Sequence, residues 1–71
     1  MELIPVQSSN VASIGYDGSE KILYIKFKGN NKIYEHHSVP YEVFKELQTS
    51  DSVGSYYARN IKKQYPAGGS E

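Results

Sequence analysis

The chain contains no cysteine, no tryptophan and a single methionine, and its charges cancel. Without cysteine there is no disulfide to staple the fold and no thiolate site for a metal. The two histidines are adjacent, a poor spacing for joint ligation of one ion from a strand or a helix. No apolar run approaches the length of a signal h-region or a membrane span. The expectations are a cytoplasmic protein with no membrane partner, no bound metal and no cofactor. At 71 residues there is room for one domain with a thin core, because so short a chain buries only about 60% of the surface it exposes when unfolded. Dense packing, dimerisation or being part of something larger must supply the stability that covalent staples do not, and a homodimer is plausible on this ground.

What is present in quantity is tyrosine, seven residues of it. Each carries a large apolar ring and a polar tip, so it can fill a core or stand as a contact surface. The zero net charge hides segregation. Residues 21–34 hold Lys21, Lys26, Lys28 and Lys32 and no acid, whereas Glu35, Glu42, Glu46 and Asp51 follow against Lys45 alone. From Ser52 to Pro66 only Arg59, Lys62 and Lys63 are charged. Local positive potential of this kind can attract a polyanion even at zero net charge.

The period of the hydrophobic pattern changes once along the chain. Met1 to Gln7 reads as an extended lead-in, with Pro5 barring regular helix. Ala12, Ile14 and Tyr16 share one parity of a first strand ending at Asp17, and Asp17-Gly18-Ser19 is turn chemistry. Leu23, Ile25 and Phe27 alternate with Tyr24, Lys26 and Lys28 in a second strand. Gly29-Asn30-Asn31 supplies a hairpin loop before a third strand, about Lys32 to His37. Pro40 suits a helix start, with Ser38 as its cap, and Val43, Phe44 and Leu47 mark the buried face. Thr49-Ser50-Asp51-Ser52 ends that helix and caps another, striped by Val53, Tyr57 and Ile61, in which Gly54 allows close packing. The fold expected is α+β: a three-stranded antiparallel meander, then two α-helices on one face. Its core comprises Ile14, Tyr16, Leu23, Ile25, Phe27, Tyr34, Val43, Phe44, Leu47, Val53, Tyr57 and Ile61. Residues 1–66 form the single domain and 67–71 a flexible tail.

Several local motifs occur in a recognisable order: Ser8-Ser9-Asn10, Ile14-Gly15-Tyr16-Asp17, Leu23-x-Ile25-x-Phe27, Val39-Pro40, Asp51-Ser52-Val53-Gly54-Ser55-Tyr56-Tyr57, Asn60-Ile61 and Tyr65-Pro66. Together they resemble the KTSC domain, a family of small modules also found at the C-terminus of some lysyl-tRNA synthetases. The resemblance runs from about Val6 to Pro66. It implies a stand-alone or appended module with a suggested affinity for RNA, and it extends to single-domain proteins of phage genomes. The family's central tyrosine-x-tyrosine motif is here Tyr34-Glu35-His36, with histidine at the second aromatic position.

No set of nucleophile, base and orienting group stands out: the serines fall in turns and caps, and no glycine-rich phosphate cradle precedes a helix. His36 and His37 alternate on a strand, so they cannot act on one substrate atom. A half-buried His36 and a surface His37 are expected. The reading is a non-catalytic binding module. For RNA, the candidates are Tyr56, Arg59, Asn60, Lys62 and Lys63 on the second helix, with Tyr24, Lys26 and Lys28 on the outer sheet face. For a protein partner, an inhibitor role or self-association, the candidates are the wet sheet face of Ile22 and Tyr24 and an open sheet edge.

Overall fold

In the run Leu23 to Phe27, alternation places Leu23 and Ile25 on one face of a pleated strand and Tyr24 and Lys26 on the other. The computed structural model describes residues 3–29 and 32–65. It has four antiparallel strands, β1 (Ile4–Pro5), β2 (Val11–Asp17), β3 (Ile22–Phe27) and β4 (Ile33–His36), each paired with its neighbour in sequence. Helix α1 (Tyr41–Thr49) and a short helix α2 (Val53–Tyr56) follow, and α2 widens at once into a π-turn over Tyr57–Ile61. The expected meander is present with one strand more. The lead-in pairs with β2, Ile4 opposite Ile14 and Pro5 opposite Ser13. Two residues, one of them proline, carry no period by which to be read as a strand.

A bulge on β2 corrects the expected parity. Val11 lies opposite Phe27, yet Ser13 lies opposite Lys26, so Ala12 is an extra residue in the ladder. Val11 and Ile14, of opposite parity in sequence, therefore both turn inward and are fully buried. The remaining core is Leu23, Ile25, Val39, Phe44, Leu47, Val53, Tyr57 and Ile61. Val11 and Val39 are additions to the expected set. Tyr16, Phe27 and Val43 are only partly buried and pack around it. Tyr34 is likewise half-buried, its ring edge-on to Phe27 at 5.5 Å.

Helix α1 starts at Tyr41 with Pro40 in the cap position and no side-chain cap. Ser38, the expected cap, instead has a left-handed backbone, φ +61°. The second helix is capped as its serines suggest, the Ser52 hydroxyl accepting the Ser55 N–H at 3.3 Å. Gly54 permits a close approach: a Cβ there would stand 2.7 Å from the Asn10 side-chain oxygen. Val53, Tyr57 and Ile61 are all buried, although the last turn is a π-turn closed by the Lys62 N–H on the Tyr57 carbonyl at 2.9 Å. The expected hairpin residues Asn30 and Asn31 and the tail 67–71 lie outside the described residues. Among the described residues, no helix is long and apolar enough to cross a membrane.

Leu47 is fully buried and Tyr41 is 56% exposed. Leu47→Ala is expected to cost about 2–5 kcal/mol in urea unfolding, and Tyr41→Ala no more than about 0.5 kcal/mol. A Tyr41→Ala loss matching that of Leu47→Ala would show that Tyr41 belongs to the core.

Candidate functional site

Four strands present a wider inner face than these short helices cover. Tyr16, opposite Leu23, and Ile4, opposite Ile14, share the inner face by register. They lie at its margin, where Tyr16 is half-buried and Ile4 is 43% exposed. The start of α1 adds Pro40, Tyr41 and Phe44. Together with Gly18, Lys21 and Glu42 these residues line an open groove of about 690 Å³. The Tyr16 ring stacks on Phe44 at 5.1 Å and 14°, and Tyr41 stands tilted against Tyr16 at 5.9 Å and 55°. A second hollow, lined by Pro5, Val6, Gln7, Gln48, Ser50, Asp51 and Val53, shares Ile4 with the first.

The groove has a rigid frame. The Tyr16 hydroxyl donates to the Val39 carbonyl at 2.5 Å, and the Val39 N–H donates to the Lys21 carbonyl at 2.9 Å. Lys21 and Ser38 are both left-handed, at φ +58° and +61°, a conformation that costs a non-glycine residue on the order of 1–3 kcal/mol and persists only where neighbours enforce it. The preceding turn is locked by Asp17, whose Oδ1 accepts the Ser19 hydroxyl at 2.8 Å, the Ser19 N–H at 3.0 Å and the Glu20 N–H at 3.3 Å. These bonds, the Ser19 hydroxyl foremost, hold the Asp17 carboxyl below the usual range. Burial, with Glu42 and then Asp17 nearby, pushes the Tyr16 phenol up, so it remains a donor.

The family-motif residues Tyr34 and His36 face inward, opposite Ile25 and Leu23. His36 is 1% exposed, more enclosed than the half-buried position expected for it. Its Nδ1 meets the Tyr65 carbonyl, which can only accept, so Nδ1 carries the proton. Nε2 then accepts the Tyr57 hydroxyl at 2.9 Å. Burial, set against the Tyr65 hydrogen bond, holds the His36 pKa below the usual histidine value. His37 is on the surface, 3.2 Å from Glu35.

The residues expected to contact RNA do not form one surface. Tyr24 and Lys26 lie on the outer sheet face, Tyr24 opposite Gly15 and Glu35, Lys26 opposite Ser13 and Ile33. Lys28 is exposed just beyond β3. Arg59, Lys62 and Lys63 are exposed at the π-turn, in the helical layer that covers the opposite face. Tyr56 packs against the core and donates to Glu46 Oε1 at 2.6 Å. That bond and burial push its pKa to about 12, and the hydroxyl is thereby tied to α1. Asn60 is turned back to the Tyr56 carbonyl at 3.4 Å. Tyr41 and Ile4 were missed. A bulky ring in the first turn of α1, off the Val43, Phe44 and Leu47 stripe, was the available signal for Tyr41, and Ile4 offered none.

Fold and site define a small α+β module with an aromatic surface groove. The KTSC domain model matches residues 7–65, and the chain belongs to this family. An uncharacterized protein of Stutzerimonas stutzeri is 34% identical over 65 residues, 92% of this chain and 90% of its own. A Tsukamurella paurometabola protein is 36% identical over 63 residues, covering 89% and 92%. The crystal structure of a KTSC domain protein from Yersinia pestis superposes with a TM-score of 0.87 at 29% identity, covering 93% of this chain and 92% of that one.

Because the folded pKa of His36 is depressed, the unfolded chain takes up a proton first as pH falls. Stability from the neutral, doubly bonded ring is therefore complete above the unfolded value near 6.5 and declines as pH drops from there through the folded value. Urea midpoints are expected to be level from about pH 8 to 7 and to fall below about 6.5. His36→Tyr, the family residue in a site now fitted to imidazole, should cost roughly 1–3 kcal/mol and flatten that decline. An unchanged decline in His36→Tyr would assign the titration to another group.

Proposed function

We propose that this KTSC domain is a non-catalytic module that docks an extended segment of another protein in the groove of Tyr16, Tyr41, Phe44, Pro40 and Ile4. The observation that carries it is two large side chains, Tyr41 and Ile4, both exposed on the lining of a groove whose backbone is hydrogen-bonded through Val39. Aromatic-lined grooves suit extended peptides, since flat rings offer large contact area at small entropic cost. A rigid frame also reduces the ordering cost of binding.

A second reading is RNA binding by Arg59, Lys62 and Lys63, favoured by their common exposure and by the absence of any carboxylate ion-paired to them among the described residues. The same three cations also complement the negative end of their helix, and three phosphate contacts alone give weak, salt-sensitive affinity.

The two readings separate in one experiment. A random peptide library selected on the wild-type chain is expected to yield binders that lose at least about tenfold in affinity on Tyr41→Ala, a hot-spot-sized effect. In parallel, a single-stranded RNA and tRNA titration across a salt series compares wild type with the Arg59, Lys62 and Lys63 triple alanine variant. No Tyr41-dependent peptide, together with micromolar RNA affinity whose log–log salt slope falls by about two to three units in the variant, would replace the peptide reading by the RNA one.

A further inference from the structure

The hydrogen-bond pattern of the sheet fixes what its β4 edge offers. The Val6 N–H donates to the Ala12 carbonyl at 3.1 Å, so Ile4 with Ile14, two residues further along the same ladder, is a hydrogen-bonded pair of β1 and β2. Ile14 therefore turns its backbone groups toward β1, and its pairing with Ile25 is a non-hydrogen-bonded one. Ile25 in turn directs its groups to Tyr34, and Leu23 directs its own to His36. What is left on β4 is Ile33 and Glu35, whose N–H and C=O groups point away from β3. Among the described residues no further strand or backbone bond meets them. Ile33 is exposed on the outer face beside Lys26, and Tyr34 is half-buried on the inner one.

We propose that this edge pairs with the same edge of a second copy of the chain, antiparallel about a twofold axis at Tyr34, with Ile33 opposite the second copy's Glu35 and Glu35 opposite its Ile33. This register satisfies every outward group of the two residues, since each such pair exchanges an N–H and a C=O in both directions. It sets the two Tyr34 side by side as a non-hydrogen-bonded pair, the closer kind, so that their rings meet across the axis. On the outer face each row then runs Lys26, Ile33, the second copy's Glu35 and its Tyr24, an ammonium and a carboxylate flanking one apolar side chain. A slip of two residues one way opposes Glu35 to Glu35, like charges face to face, and the other way opposes Ile33 to Ile33 and leaves Glu35 beyond the paired strands. A slip of one residue turns Tyr34 to the wrong face. A strand as short as Ile33–His36 buries well under the roughly 1,200 Å² of a stable complex, so the dimer is weak, with a Kd on the order of 0.1–1 mM. It is independent of the groove, which opens beside β1 and α1.

Sedimentation velocity on the full chain is expected to show monomer at about 10 μM and substantial dimer at about 1 mM. Over the same range the 15N-labelled amides of residues 33–36 should shift, and those of 16–21 and 40–44 should not. Ile33→Pro removes an outward N–H while sparing the bonds to β3, and by symmetry it deletes two contacts of the dimer. It should weaken association at least about tenfold while the amide spectrum stays folded. Because the chain has no cysteine, single substitutions report the register. Tyr34→Cys should oxidise to a covalent dimer at least about fivefold faster than Ile33→Cys or Glu35→Cys, whose equivalents lie farther apart across the axis. This series decides the matter even if Ile33→Pro unfolds. Monomer alone at 1 mM would overturn the proposal, as would a dimer untouched by a folded Ile33→Pro or one whose shifts fall at the groove. Faster cross-linking of Ile33→Cys or Glu35→Cys than of Tyr34→Cys would overturn the register.

Discussion

One buried imidazole joins the two ends of the layered structure. His36 is the last residue of the edge strand β4, and both its ring nitrogens are used on the C-terminal segment, Nε2 on the Tyr57 hydroxyl and Nδ1 on the Tyr65 carbonyl. The ring also meets Tyr57 edge-on at 5.2 Å, and Tyr57 in turn meets Phe27 at 5.4 Å. In a chain without disulfides, this polar junction and the apolar contacts around it hold the π-turn against the sheet. Such a group is costly when half-satisfied. Here both nitrogens are matched, and burial disfavours adding a charge to the ring, so protonation weakens the attachment of the final element through desolvation.

On the rung that runs from His36 through Leu23 to Tyr16, a second small network does a different task. Val39 is bonded on both sides, through its N–H to Lys21 and through its carbonyl to Tyr16. It thereby ties the β2–β3 turn to the entry of α1 and places Tyr16, Tyr41 and Phe44 on one rim. The left-handed Lys21 and Ser38 are the residues at which this tie bends the chain. The groove therefore depends on backbone geometry together with the Tyr16 hydroxyl, which holds the Val39 carbonyl.

Most of the architecture was legible in the sequence, because β3 alternates strictly and the Val43, Phe44, Leu47 and Val53, Tyr57, Ile61 stripes repeat at helical spacing. What escaped was what breaks those periods. The bulge at Ala12 shifts parity within β2, so Val11 enters the core against its alternation. Val39 sits in a linker, where no period marks a buried residue. The family resemblance was sound, and the motif residues Tyr34 and His36 face inward in this chain. The candidate site was less legible. Tyr56 and Asn60 read as a recognition row, yet Glu46 and the Tyr56 carbonyl claim them. Exposure of Tyr41 depends on where α1 ends its contact with the sheet, which is a tertiary property.

The strand β1 is two residues long and one of them is Pro5, which has no N–H to offer. The margin of the sheet formed by β1 thus has one donor fewer to offer a further strand, while β4, at the other margin, pairs with β3 alone among the described residues. The two edges of the sheet therefore differ in how readily a further strand could be added, the proline-bearing one being the poorer template.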